Sequence, residues 1–132
     1  MPKTAVKIRI AAVKAFDSKF EAGAKKAALE GAEAAVKANS GFENADPKSG
    51  GWIIQLKGLV ELDEKARQVV SSFKFDIFAV EKGKESLYNK LKLSKSATAA
   101  ADCDPLNVRQ AQVDDSAAAS AEAQVRGILA KL

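Results

Sequence analysis

Polarity alternates over two neighbouring stretches, residues 52–62 and 69–80. A charged spacer, residues 63–67, lies between them. Alternation with period two around a polar turn predicts a long β-hairpin. Trp52, Ile54, Leu56, Val60 and Leu62 fall on one face of it, with Phe73, Phe75 and Ile77 on the return strand. The other face should be polar if it met water. Instead it carries Ile53, Leu59, Val70, Phe78 and Val80 among Gln55, Lys57, Glu61, Ser72, Lys74 and Asp76. Those five apolar residues are the predicted interaction surface, because soluble chains seldom leave such a strip in water. Gly58, in mid-strand, predicts a bulge or the close approach of another backbone.

The same period appears near the N-terminus. Val6, Ile8 and Ile10 alternate with Lys7 and Arg9, predicting a strand from residue 4 to about residue 12. A helical period follows over residues 18–39. Ser18 with Glu21 fits a capping box, Asp17 is a rival cap, and Asn39 with Gly41 marks the stop. Lys19, Lys26, Glu30, Glu33 and Lys37 form a charged stripe. Phe16, Phe20, Gly23, Ala24, Ala27, Gly31, Ala34 and Ala38 share another side, with Leu29 and Val36 nearly opposite. The alanine-rich side predicts close packing on the sheet. Leu29 and Val36 offer a contact for a further subunit. Residues 40–51 read as a loop.

Past residue 80 the pattern weakens. Residues 86–93 fit a short helix better than a fourth strand, with Leu87 and Leu91 spaced i,i+4. Residues 94–123 hold only Leu106, Val108 and Val113 as large apolar residues, so little surface is available to offset ordering entropy. A last helix is expected over residues 116–131, with Val125, Ile128, Leu129 and Leu132 as its apolar strip. That strip is suited to docking on the second hairpin face or on a partner.

These elements predict an α+β fold. The expected core, residues 1–93, is a three-stranded antiparallel sheet in β-α-β-β order with one packing helix. The first strand is expected beside residues 69–80, leaving 52–62 at an edge; parallel pairing with 52–62 is the rival arrangement. Residues 94–132 form an Ala/Ser-rich extension, helical or partly disordered, and mobile in part.

Composition narrows the chemistry. Histidine is absent from the 132 residues. That removes the commonest general acid–base, metal ligand and near-neutral pH switch. The single Cys103 cannot form an internal disulfide, and it sits between Asp102 and Asp104, the opposite of the electropositive setting of reactive thiols. No catalytic residue and no metal site is predicted. No apolar run reaches the ~18 residues of a membrane span. The first residues lack a signal peptide's apolar core, so a cytoplasmic location is expected.

The net charge of +4 is uneven. Residues 1–95 carry 18 Lys or Arg against 12 Asp or Glu, whereas residues 96–132 carry 3 against 5. The basic excess is dispersed, which suits a solvated surface better than a nucleic-acid patch. Lys7, Arg9, Lys57 and Lys74 nonetheless share one sheet face, so nucleic-acid binding is an alternative.

The Val6–Ile10 strand, the alanine-rich helix and the hairpin opening with Trp52 together resemble the dodecins over roughly residues 4–80. Dodecins are small flavin-binding proteins that assemble into hollow shells. The resemblance implies a flavin cofactor stacked on Trp52, with Gln55 at its edge. Residues alone imply no cofactor. The longer 40–51 loop and the C-terminal residues have no dodecin counterpart. The primary expectation is a non-catalytic binding or self-association module, partnered by another protein or by itself.

Overall fold

A computed structural model describes residues 2–91 and 96–132. The first alternating stretch forms β1 (Thr4–Ala15). A single 3-10 turn, Ser18–Phe20, leads into α1 (Glu21–Ala38). Asp17 is the cap that wins, its Oδ1 accepting from the Lys19 amide at 3.1 Å. Glu21 instead reaches back to accept from the Ala15 amide at 3.1 Å. A short β2 (Phe42–Asn44) follows inside the expected loop. The hairpin comprises β3 (Gly51–Asp63) and β4 (Gln68–Glu81). Then come β5 (Lys84–Leu87), β6 (Ala97–Asp102) and α2 (Gln110–Leu129).

The sheet has six strands in the order β2-β1-β3-β4-β5, with β6 also on β4. It is mixed, not the expected three-stranded antiparallel sheet with one helix. β1 pairs with β3 in parallel, Ile8 opposite Ile54, and not with residues 69–80. The reason lies in the connection. Parallel neighbours need a crossover of a dozen or more residues, usually a helix, and α1 supplies it. Both edges of β4 are then filled: β3 on one side, β5 and β6 end to end on the other.

Two elements were expected otherwise. Residues 84–87 are a strand, not the start of a helix. Lys82 and Gly83 both have positive φ, 50° and 79°, which is the backbone a tight two-residue hairpin turn needs. The Tyr88 amide carries the pairing one step further, donating to the Ile77 carbonyl at 2.8 Å. Residues 92 and 93 of that expected helix, and 94 and 95 of the expected extension, lie outside the described residues. Residues 97–102 form β6, where four of the six side chains are alanine.

α2 starts at Gln110, six positions before the expected 116, and ends at Leu129. Its first turn is held by side chains of its own. Gln112 Oε1 accepts from the Arg109 amide at 2.9 Å, and Gln110 Nε2 donates to Asp114 Oδ1 at 2.8 Å and to the Phe20 carbonyl at 3.2 Å. The helix does not dock on the Ile53–Phe78 face. It lies on the opposite face, where Val113, Ala117, Ala121, Val125, Ile128 and Leu129 join the same core as β1, β3 and β4.

That core is a layer of sheet under a layer of two helices. Ile8, Leu56, Phe20, Ala24 and Phe73 are buried as expected, while Phe75 and Ala27 are partly so. α1 is buried at Ala24, Ala28, Gly31, Ala32, Ala35 and Val36. Ala34 and Ala38 are exposed. The buried arc is rotated from the predicted one because α1 meets both the sheet and α2. A Cβ on Gly31 would strike the Ala118 backbone, so the two helices touch along small residues. Two buried serines tie α2 to the sheet, Ser71 Oγ to Ser116 Oγ at 2.7 Å. Ser120 Oγ and Gln124 Oε1 close the Ala97 end of β6, bonding its carbonyl at 2.7 Å and its amide at 3.1 Å.

Candidate functional site

Both helices lie on one face of the sheet, and the other face has no element over it among the described residues. Alternation along β1, β3 and β4 places there the side chains of Lys7, Arg9, Ile53, Gln55, Lys57, Leu59, Val70, Lys74, Asp76 and Phe78.

Arg9 organises one end of this face. Its Nε donates to Gln55 Oε1 at 2.8 Å. Its guanidinium stands 5.2 Å from the centre of the Phe78 ring. It also pairs with Glu85 at 3.4 Å, a half-exposed contact of small energetic weight. Ile53 lies directly opposite Phe78, and Ile53 and Val80 are each only 5% exposed. At this end the apolar side chains are therefore largely covered by their own neighbours.

The hairpin end is more open. Leu59 is 44% exposed, and Val70, paired one step along with Glu61, is half-buried. Between the two ends Lys57 stands directly opposite Lys74, both exposed. Neither makes an ion pair among the described residues. Like charges opposite one another weaken a sheet, so this pair leaves a local demand for negative charge.

The five residues of the predicted interaction surface thus share one face but form two groups. Ile53, Phe78 and Val80 cluster beside Arg9, and Leu59 and Val70 sit near the turn. Only the second group and part of Phe78 offer open apolar surface. Glu85 was missed, because nothing local links it to Arg9 across 76 positions of sequence.

Trp52 and Gln55, read as a ligand pair, are on opposite faces, as their odd separation requires. Trp52 is half-buried on the helix-bearing face, its ring edge-on to Tyr88 with centres 4.9 Å apart. Among the described residues no three His, Cys, Asp or Glu side chains gather as metal ligands would. No helix there is long and apolar enough to cross a membrane. No protein-family model matches this chain, and no curated protein is significantly similar to it.

Proposed function

We propose that this chain is a non-catalytic binding or self-association module acting through the helix-free face of its sheet. One observation carries the reading: α1 and α2 both cover the same face, leaving Leu59, Val70 and part of Phe78 on the other with nothing over them among the described residues. A half-apolar sheet face of this kind is a natural seat for a second protein surface. The absence of histidine from the chain supports the non-catalytic part.

Sedimentation over a wide concentration range tests self-association. The native chain should associate, and L59E with V70E should return it to monomer with its circular dichroism unchanged. A chain that stays monomeric at every concentration overturns the self-association form and leaves a different molecule as the occupant.

The opposed Lys57 and Lys74 favour a second reading, nucleic-acid binding across Lys7, Arg9, Lys57 and Lys74. Affinity for a random duplex falling steeply with salt supports it. Affinity indifferent to K57E with K74E excludes it.

A further inference from the structure

The outer edge of β1 is largely without a partner. β2 pairs with it only over Thr4, Ala5 and Val6. The Ala45 amide donates to the Val6 carbonyl at 3.2 Å, and Glu21 accepts from the Ala15 amide at the far end. Between those points no strand lies beside β1 among the described residues. Backbone groups alternate between the two edges of a strand. Val6 turns its carbonyl outward, so Ile8 and Ile10 turn theirs outward too. Their side chains floor an open groove of about 390 Å³, walled by Ala22, Lys25, Lys26 and Leu29 of α1. The groove continues past Ile8 and Leu29 into a second hollow of about 290 Å³ toward Asn44. Leu29, suspected from sequence as a contact for another subunit, belongs to this groove; Val36 is fully buried and does not.

An unpaired strand edge beside a helix wall has what strand addition requires. Main-chain hydrogen bonds supply affinity, and alternate side chains supply specificity. We propose that this groove takes an extended peptide as an added strand beside β1, its apolar residues turned onto Ile8 and Ile10 and its acidic residues turned to the other face. Charge selects the occupant. Lys25 and Lys26 rim the groove, and Lys7 and Lys14 flank the edge on the opposite face. None of the four forms an ion pair among the described residues. A second copy of β1 would set the same cations beside one another, and edge lysines are a usual guard against such pairing. An acidic strand meets complementary charge instead along Ile8 and Ile10, whereas Glu33 and Asp46 line the hollow beyond. Exchange at the outer amides of Ile8 and Ile10 reports the β1 edge and not the helix-free face, so this test stands whatever that face binds.

A fluorescein-labelled peptide of alternating valine and glutamate, titrated into the full chain, reads affinity by anisotropy. Amide exchange at Ile8 and Ile10 reads strand addition. We expect saturable binding, slowed exchange at both amides, and about tenfold weaker binding for K7E with K14E, the lysines on the face that takes the acidic side chains. The same peptide with lysine for glutamate should not bind. Lys7 and Lys14 are exposed, so the double variant should keep its circular dichroism. Three results overturn the proposal: no saturable binding, binding indifferent to the charge reversal, or binding without slowed exchange at Ile8 and Ile10. A peptide-free dimer protecting those same amides overturns it too, since a second copy would then hold the edge.

Discussion

The ring of Phe73 occupies the space where Gly58 would carry a Cβ. The two residues are direct cross-strand partners on β4 and β3, and Phe73 is fully buried. Mid-strand glycine here marks neither a bulge nor another backbone. The bulge lies on β1, between Ile10 and Ala12. Gly58 makes room for an aromatic ring under α2.

This pairing predicts a coupled response. Phe73→Ala should cost about 3–5 kcal/mol through lost burial and a cavity. Gly58→Ala should cost about 1–3 kcal/mol by displacing the ring. The double variant should cost less than the two together, since the methyl group no longer meets a ring. Urea unfolding measures all three. Strict additivity would mean that the ring is not seated on Gly58.

Two helical glycines should respond with opposite sign. At Gly31 an added Cβ meets the Ala118 backbone, which has no rotamer to retreat into. Gly31→Ala should destabilise by about 1–3 kcal/mol, by forcing the helices apart. At Gly127 an added Cβ meets nothing. Gly127→Ala should stabilise by about 0.5–1 kcal/mol through helix propensity. Thermal melts of the two variants should move in opposite directions. A shared direction would contradict the close contact of α1 with α2.

The buried serine pair predicts an asymmetry. Ser116 Oγ has a second partner, the Val113 carbonyl at 2.9 Å, while Ser71 Oγ has only Ser116 among the described residues. Ser116→Ala strands a fully buried hydroxyl and should cost about 1–3 kcal/mol. Ser71→Ala leaves Ser116 satisfied and should cost about 1 kcal/mol or less. Equal losses in chemical denaturation would count against this network.

Trp52 is the single tryptophan, so its emission reports its site directly. Edge-on packing against Tyr88 means that Tyr88→Ala should shift emission to longer wavelength, with a stability loss of about 0.5–1.5 kcal/mol beyond area burial. Riboflavin should leave the native emission unchanged, because a stacked flavin would have to displace Tyr88. Saturable quenching would instead support the dodecin-like use of Trp52.

Much was legible where large side chains alternate. The faces of β3 and β4 were readable because Ile54, Leu56, Phe73 and Ile77 can reach the core only from one side of a pleat. The start and end of the α1 region were readable because Asp17 and Asn39 act on the backbone beside them. The candidate surface was legible as a face, but not in its extent. Covering of Ile53 and Val80 depends on Arg9, Phe78 and other groups brought together from distant positions.

The sequence by itself determined which residues could share a face and where local backbone chemistry starts and stops an element. Tertiary structure alone decided which strands pair, because a free edge of β3 and one of β4 each offer β1 a full backbone ladder, parallel at one and antiparallel at the other. It also decided the roles of β6 and α2. The alanines and serines of β6 and of the first half of α2 carry no period that stands out from a loop, yet small side chains are what let a helix lie against α1, Phe73 and Ser71. Where burial comes from close approach rather than from large apolar groups, the signal belongs to the partner surface and not to the segment.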